Sequence, residues 1–230
     1  EIASANSLWV IEDCAQAHLA RFRDETVGTF GNAGTFSFYP GKNLGAMGDA
    51  GCIVTNDEAL AERMAMFARH GGLRKHEHRI EGINSRLDGL QAAILNVKLA
   101  HLPTWTGRRR NLAARYGRLL KELDEVGLPI EGHDAQHVWH IYQIGTERRD
   151  TLVEEMKLHG IGVGVNYPCA LPFLPCYADR DFDPDVFPNA FSLSRKTLTL
   201  PLFPEMTESQ QDKVCQVLRN AIELTSSDYN

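Results

Sequence analysis

A lysine, Lys42, stands among glycines in the segment YPGKNLG at residues 39–45, directly after an apolar run. Most lysines are solvated surface charges. This segment, however, has neither helical nor strand periodicity, and its glycines allow the backbone to approach a ligand closely. A Walker A phosphate loop needs glycine where Phe36 stands and Ser or Thr where Asn43 stands. The sequence therefore excludes that nucleotide site and leaves the Lys42 amine as a candidate reactive group.

An aspartate, Asp13, ends an earlier apolar run, and Gln16 follows three residues later. One interpretation is that Asp13 caps a following helix. The other pairs it with Lys42, because ligand sites of parallel sheets lie beyond the carboxyl ends of the strands. A carboxylate keeps a pyridine nitrogen protonated, while a lysine amine forms a Schiff base with an aldehyde on the same ring. The pair predicts pyridoxal 5′-phosphate (PLP), or its aminated form PMP, as cofactor.

Four segments occur in one order along the chain: VIEDCAQAH at 10–18, FSFYPGKNLG at 36–45, GDAG at 48–51 and NSRLD at 84–88. Together they resemble the DegT/DnrJ/EryC1/StrS family of sugar aminotransferases, which are fold-type I PLP enzymes. The likeness continues through Tyr167-Pro168 and the segment LPLFP at 200–204, so that it spans essentially the whole chain.

The resemblance implies a role for each matching residue. Lys42 corresponds to the lysine that forms the Schiff base, Asp13 to the partner of the pyridine nitrogen, and Gln16 to the residue that bonds the phenolic oxygen. Ser37 corresponds to a phosphate ligand. Asn84 corresponds to an asparagine that reaches the cofactor phosphate of the neighbouring subunit, which implies a homodimer. Dehydratases of this family have histidine in place of the lysine, so Lys42 favours transamination.

Three residues are substrate candidates: His18, Arg86 and Tyr167. His18 either approaches the substrate or is an ordinary polar residue of a helix. Arg86 either contacts the substrate or cofactor phosphate or braces the start of a helix. Relatives often have histidines where Asn166 and Pro172 stand, and those histidines are thought to line the nucleotide-sugar pocket.

The resemblance implies transfer of an amino group from an amino acid, with glutamate expected, to a keto group of a nucleotide-linked sugar. Residues 82–88 are more similar to members that act at C3 than at C4. One alternative is a catalytically silent binding or regulatory protein on the same scaffold, or an inactive fragment. Another, a nicotinamide-dependent sugar oxidoreductase, requires a Gly-x-Gly-x-x-Gly motif that this sequence lacks.

The elements that must position these residues alternate between strands and helices in the first half of the chain. Short apolar runs predict strands at 8–11, 35–39 and 52–55, and Asn56 or Asp57 can cap a helix that ends before Gly71. A second helix is predicted from Arg86 to about His101, ended by Pro103. Its expected buried stripe is Leu87, Leu90, Ala93, Ile94 and Val97. The pattern predicts an α/β fold with a mostly parallel sheet.

Beyond about Gly127 the pattern predicts a smaller α+β domain. We expect strands at 138–144 and 161–167, a helix at 150–159, and a last helix from Thr207, where Gln210 completes a capping box. The domains expected are residues 1–104, the incomplete large PLP-binding domain; 105–126, a connecting helix; and 127–230, the small domain.

Composition excludes several other classes of protein. The net charge of −6 argues against a nucleic-acid partner. No apolar run approaches a membrane span. Five scattered cysteines without a Cys-x-x-Cys pair indicate free thiols in the cytoplasm, and the histidines 76, 78 and 101 lack metal-ligand spacing, so no metal is expected. The chain begins without methionine and relatives are longer, so we expect a missing amino-terminal part and a sheet with an open edge and face.

Overall fold

The computed structural model describes the backbone of residues 1–227 and the side chains of residues 1–223. The chain forms two compact units. The first contains Glu1–Gly107 and Glu131–His140, and the second contains Arg108–Ile130 and the chain from Ile141 onward. The division therefore differs from the expected boundaries after residues 104 and 126. Segment 131–140 returns to the first unit because its strand pairs with a strand there.

The first 136 residues of the chain contain two short sheets and four helices. The elements are α1 (Ile2–Ala5), β1 (Ile11–Asp13), β2 (Arg21–Phe22), β3 (Glu25–Thr26), β4 (Ala33–Ser37), β5 (Gly51–Val54), α2 (Glu58–Ala68), α3 (Gly89–Leu99), α4 (Leu102–Leu120) and β6 (Ala135–Gln136). The boundary between the two units falls inside α4, after Gly107.

The principal sheet of the first unit has the strand order β1-β4-β5. β1 and β4 are parallel, with Asp13 opposite Thr35. β5 runs antiparallel to β4, with Ser37 opposite Gly51. A parallel third strand would need a crossover connection, usually a helix, and the connection from β4 to β5 contains none. The expected α/β architecture is present, but one of these two pairings is antiparallel.

The edge strand β1 and the chain just before it expose large apolar side chains. Trp9 is 67% exposed and Ile11 is 68% exposed. Apolar side chains and unpaired strand edges of this kind are rarely left open to water in a folded protein. The open edge and face expected from the sequence are thus present among the described residues.

The second sheet of the first unit has the order β3-β2-β6, with all pairs antiparallel. Arg23 and Asp24, which join β2 to β3, both have positive φ, as tight hairpin turns require. The Arg23 amide donates to the Asp134 carbonyl at 2.8 Å. These bonds fasten segment 131–140 to the hairpin.

Helix α2 begins where the sequence predicts. Asp57 is its N-cap, and the Asp57 carboxylate accepts a hydrogen bond from the Leu60 amide at 3.0 Å. Gly71, with φ +89°, follows the end of the helix. The capping interaction is local, so it could be predicted from the sequence.

Helix α3 is correctly predicted as a helix, but its expected buried stripe is wrong. Leu90 is 72% exposed and Val97 is 69% exposed, whereas Leu95 is the buried residue of this helix. Periodicity identifies an apolar face without identifying what covers it. Pro103 lies in the first turn of α4, where a missing N–H has no cost, so it separates two helices as expected.

The second unit packs helices against a two-stranded sheet. Its further elements are β7 (Tyr142–Gly145), α5 (Arg149–Leu158), short 3-10 turns at Leu171–Phe173, Pro175–Arg180 and Pro184–Val186, α6 (Pro188–Lys196), β8 (Thr197–Leu200) and α7 (Glu208–Ser227). β7 and β8 are antiparallel, with Ile144 opposite Leu198. The core beneath them includes the fully buried Leu152, Met156 and Leu218.

Two strand predictions in this region need correction. Of the run 138–144, only the part from Tyr142 is a strand, because Trp139 has φ +49°, which no strand allows. Residues 161–167 form no strand and make only an isolated bridge from Gly164 to Thr199. Helix α5 and the capping box are confirmed: the Gln210 amide donates to Thr207 Oγ1 at 3.2 Å, and the Thr207 amide donates to Gln210 Oε1 at 2.9 Å.

In the part of the chain that the structure describes, no helix has the length and apolarity to span a membrane. Nor do His, Cys, Asp and Glu side chains gather there in a group able to hold a metal ion.

Candidate active site

Asp13 and Ser37 lie at the carboxyl ends of adjacent parallel strands. Asp13 is the last residue of β1 and Ser37 is the last of β4. The Asp13 carboxylate is exposed and accepts a hydrogen bond from the Ala15 amide at 3.0 Å. The residues that follow form turns, not a helix, and Gln16 is exposed among them. Asp13 therefore caps a turn and keeps its carboxylate open to a ligand.

Lys42 lies in the loop that leaves β4. The Lys42 amide donates to the Tyr39 carbonyl at 2.8 Å, and the Ala46 amide donates to the Phe38 carbonyl at 2.7 Å. Gly45 must be glycine, because a Cβ there would come within 2.3 Å of the Pro40 carbonyl oxygen. Among the described residues, the Lys42 ammonium has no hydrogen-bond or ion-pair partner. The loop thus holds the backbone of Lys42 while its amine stays uncommitted.

A second attachment of this loop runs through Asn43, which is buried. Its amide nitrogen donates to the Val138 carbonyl at 3.2 Å, and its amide oxygen lies 2.9 Å from His140 Nδ1. Because the Asn43 oxygen can only accept, His140 Nδ1 is the donor. The residue after Lys42 is therefore bonded at both ends of its side chain to segment 131–140.

His18 lies close to Lys42 but is withdrawn from solvent. It is 5% exposed, its ring centroid lies 5.4 Å from that of Phe36 and 5.7 Å from that of Phe38, and neither ring nitrogen has a hydrogen-bond partner. Burial lowers the pKa of His18, and the nearby charge of Lys42 lowers it further. The expectation that His18 approaches the substrate finds no support in this position. The structure instead shows a buried imidazole in contact with the Phe36 and Phe38 rings.

A cavity of about 1160 Å³ opens between β4, β5, α2 and residues 84–88. Ser37, Asn84 and Arg86 all lie on its wall, and Arg86 Nε donates to Asn84 Oδ1 at 3.2 Å. Asp13 and Lys42 are not on this wall. The structure thus brings three of the predicted site residues to one cavity, whereas Asp13 ends β1 and Lys42 lies in the loop after β4.

Backbone bonds fix the segment that contains Asn84 and Arg86. The Ile83 amide donates to the Phe67 carbonyl at 2.7 Å, and the Ser85 amide donates to the Ala68 carbonyl at 3.0 Å. Gly82 allows this close approach, since a Cβ there would lie 2.3 Å from the Gly71 nitrogen. The carboxyl end of α2 therefore holds the predicted phosphate-binding residues at the cavity.

Tyr167 belongs to the second unit, where it is 67% exposed. Its neighbour Asn166 is fixed on both sides: Gln143 Nε2 donates to the Asn166 carbonyl at 2.6 Å, and the Thr199 hydroxyl donates to Asn166 Oδ1 at 2.9 Å. These bonds hold the Asn166-Tyr167 segment against the sheet while the tyrosine ring faces water.

Comparison with known proteins identifies the chain. A model of the DegT/DnrJ/EryC1/StrS aminotransferase family matches residues 1–219. The chain belongs to this family. It is 42% identical, over 95% of its length, to dTDP-3-amino-3,4,6-trideoxy-α-D-glucose transaminase of Streptomyces venezuelae, and 45% identical, over 94%, to a pleiotropic regulatory protein of Geobacillus stearothermophilus. It spans 58% of the length of each of these relatives.

A solved structure supports the same assignment. The crystal structure of S. venezuelae DesV in complex with a ketimine intermediate has a TM-score of 0.92 and 42% sequence identity to this chain. The match covers 95% of this chain and 59% of DesV. The fold expected from the sequence, that of PLP-dependent aminotransferases, is therefore confirmed.

Sequence reasoning missed the role of Glu12 in holding the end of β1. The Glu12 carboxylate accepts hydrogen bonds from three backbone amides, those of Gly28 at 2.6 Å, Phe30 at 2.7 Å and Gly31 at 2.8 Å. Glu12 directly precedes Asp13 and thereby anchors the strand end to the loop 28–31. No local pattern predicts this, because the partners lie far along the chain and contribute only backbone groups.

The strand ends, the Lys42 loop and the cavity wall together offer the chemistry that a phosphorylated pyridine aldehyde requires. Lys42 offers an amine without a competing partner, Asp13 an exposed carboxylate, and Ser37 and Arg86 offer hydroxyl and guanidinium donors for a phosphate. These side chains fit PLP, the cofactor expected for the aminotransferase family to which the chain belongs.

Proposed function

We propose that this chain is the part of a PLP-dependent aminotransferase that contains the reactive lysine. One observation carries the proposal: the Lys42 amine is uncommitted, in a loop leaving β4 whose parallel neighbour β1 ends in the exposed carboxylate of Asp13. Membership of an aminotransferase family supports it. A protein using this scaffold only for binding would not need an amine and a carboxylate at these two positions.

Each predicted residue has a defined task in this reaction. Bound PLP would supply an electron sink for the bond changes at the amino-donor carbon. With PLP bound, Lys42 would hold the cofactor aldehyde through Nζ, and its amine would carry the proton removed from the donor Cα. Asp13 would keep the pyridine nitrogen protonated, and Gln16 would bond the phenolic oxygen.

The phosphate is assigned to the residues near the cavity. Ser37 would donate its hydroxyl to the phosphate within the same subunit. Asn84, which lies on the cavity wall, would reach the phosphate of the neighbouring subunit. Arg86 also lines the cavity, and its positive charge favours a dianion there. Tyr167 and Arg86 remain the proposed substrate contacts, whereas the burial of His18 argues for a role behind the lysine loop.

For the substrate, we propose a keto group of a nucleotide-linked sugar, with the amino group taken from an amino acid such as glutamate. The named activity of the 42% identical S. venezuelae relative is that of a 3-amino sugar transaminase, which supports C3 over C4 as the site of amination.

The partner we propose is a second copy of the chain. Leu90 and Val97 lie on one side of α3 and are both largely exposed, and apolar helix faces of this kind are usually covered in an assembly. The assignment of Asn84 to a neighbouring phosphate requires the same assembly. All five cysteines are free thiols, which supports a cytoplasmic location.

A regulatory protein on the same scaffold is the second candidate. The 45% identical G. stearothermophilus relative is named a pleiotropic regulatory protein, and this observation favours it. Such a protein would fold without binding PLP covalently and would not exchange amino groups between glutamate and 2-oxoglutarate.

The deciding experiment is borohydride reduction of the protein incubated with PLP, followed by peptide mapping. We expect one reduced pyridoxyl adduct, on Lys42, and none in Lys42→Ala. Lys75→Ala, which removes an exposed lysine elsewhere in the same unit, is the matched control and should be labelled like the unmodified protein. A folded protein without an adduct, or with one on another lysine, rejects the proposal. Mass spectrometry after incubation with glutamate and 3-keto and 4-keto nucleotide sugars then tests the substrate.

A further inference from the structure

The segment 131–140 lies almost a hundred residues from Lys42 in sequence. The two are joined through Asn43, whose side chain is bonded to the Val138 carbonyl and to His140 Nδ1. We infer that His140 is a positioning residue for the reactive lysine, acting through the buried amide of Asn43. This inference rests on the proposed function, because it concerns the placing of the Lys42 amine.

The backbone turn at Trp139 allows both of these hydrogen bonds to form. Trp139 has φ +49°, a strained conformation that is uncommon for a residue with a large side chain. The Val138 carbonyl and the His140 ring, on either side of this residue, are both hydrogen-bonded to the side-chain amide of Asn43. The Trp139 amide is itself bonded to His137 Nδ1 at 2.8 Å. The strained turn is thus held from both sides.

The other end of the segment is fixed independently of Asn43. Ala135 and Gln136 pair with β2, and the Arg23 amide donates to the Asp134 carbonyl. The His137 amide donates to Glu131 Oε1 at 2.5 Å. His140 therefore projects from a segment with its own anchor, so that it can hold Asn43 in place instead of merely following it.

On the side of the loop, Asn43 is the buried residue next to the half-buried Lys42. Among the described residues, none forms an ion pair or a hydrogen bond with the Lys42 amine. The backbone of the loop must therefore set the direction of the Lys42 side chain. Loss of the His140 bond would leave the buried Asn43 oxygen without its donor, a state that a protein avoids by moving the loop. An error of about 1 Å in a reacting group can lower a rate by about a hundredfold.

Two substitutions separate the hydrogen bond from the packing of the ring. H140F keeps an aromatic ring but has no donor, whereas H140N keeps a nitrogen donor near the position of Nδ1. H133F is the matched control, because His133 lies on the same segment with its side chain fully exposed. N43A removes the other end of the same bond, so it tests the inference should H140F fail to fold.

Amide hydrogen exchange without cofactor is the first readout. In H140F, and likewise in N43A, we expect exchange of residues 39–46 to quicken by about tenfold, the effect of losing one hydrogen bond to a buried group. H140N and H133F should exchange like the unmodified protein. Unchanged exchange in a folded H140F, or quickened exchange in H133F, overturns the inference, whether or not the protein binds PLP.

The second readout is the rate of borohydride-trapped labelling at Lys42. We expect H140F to lower it by about tenfold to a hundredfold, with recovery to within about threefold in H140N. If the unmodified protein is labelled at Lys42 and H140F is labelled equally fast, the inference fails while the proposed function stands. If the unmodified protein is not labelled at all, the proposed function fails, and this inference, which rests on it, fails as well.

Discussion

The carboxylate of Glu12 accepts a hydrogen bond from the backbone amide of Gly31 at 2.8 Å, and two further amides of the same loop donate to it. A single charged side chain thus ties the end of β1 to residues 28–31. Since Asp13 follows directly, the position of the proposed pyridine partner depends on this attachment.

Replacing Glu12 by Gln should destabilise the first unit. The amide has one acceptor oxygen and no charge, so at least one of the three backbone amides loses its partner, and charge-assisted hydrogen bonds are the stronger kind. We expect the free energy of unfolding to fall by about 2 kcal/mol in urea denaturation. E25Q changes an exposed carboxylate of the adjacent hairpin that has no side-chain partner among the described residues, and its loss should stay within about 0.5 kcal/mol. Equal losses in the two variants would contradict this account of Glu12.

Replacing Asp13 by Asn should impair transamination without removing the cofactor. An amide cannot stabilise the protonated pyridine nitrogen, so the ring loses its function as an electron sink. We expect the exchange of amino groups between glutamate and 2-oxoglutarate to slow by at least about a hundredfold, while borohydride still labels Lys42. D24N alters an exposed aspartate in a turn and provides the control. Full activity of D13N would remove Asp13 from the proposed site.

Removing a donor from the cavity wall should weaken cofactor binding. Ser37 and Arg86 both line the cavity, and each offers a hydrogen bond to a phosphate. We expect S37A and R86A each to raise the dissociation constant of PLP by about tenfold, measured by fluorescence titration. Pyridoxal, which lacks the phosphate, should bind these variants and the unmodified protein alike. Equal weakening for pyridoxal would show that the residues act on something other than the phosphate.

The stability of the second unit should fall in alkaline solution. Burial raises the pKa of Cys215 to about 11 and that of Tyr142 to about 12, and it raises the pKa of Tyr116 as well. Above the ordinary pKa of each group, the unfolded chain loses its proton while the folded chain retains it. The unfolded state then binds fewer protons, and stability declines with rising pH. The decline begins near pH 9, the ordinary pKa of the thiol, and each group contributes up to about 1.4 kcal/mol per pH unit.

Urea midpoints between pH 8 and pH 11 measure this decline. In C215A the urea midpoint should fall less steeply from pH 9 to pH 11. Of the three buried groups with a raised pKa in this unit, the variant removes the one whose ordinary pKa is lowest. C176S, at an exposed cysteine, should keep the slope of the unmodified protein. A flat profile, or a C215A profile as steep as that of the control, would contradict the assignment.

Charge on the exposed face of α3 should prevent self-association. Leu90 is 72% exposed and Val97 is 69% exposed, and a carboxylate at either position would be buried at an apolar interface. We expect L90E and V97E to shift the protein from dimer to monomer in light scattering after size-exclusion chromatography. L158E provides the control, since Leu158 is 77% exposed on another helix. A monomeric unmodified protein, or dimers in both variants, would place the interface elsewhere.

The sequence by itself determined chiefly those features of the fold that depend on residues close together in the chain. The cap at Asp57 and the capping box of Thr207 and Gln210 join groups three residues apart, so residue types alone predict them. The family follows from motifs that stand in order around Asp13 and Lys42, and the comparison confirms it. Whether those residues perform the assigned steps stays a prediction.

What only the tertiary structure decided depends on distant parts of the chain. The stripe of α3 has helical periodicity, but periodicity does not reveal that Leu90 faces outward. The antiparallel direction of β5 follows from a connection without a helix. His18 is a polar residue that is buried in contact with two phenylalanine rings. Asn43 meets His140 because a strained turn at Trp139 brings them together, and hydrogen bonds across such sequence separations leave no local pattern to read.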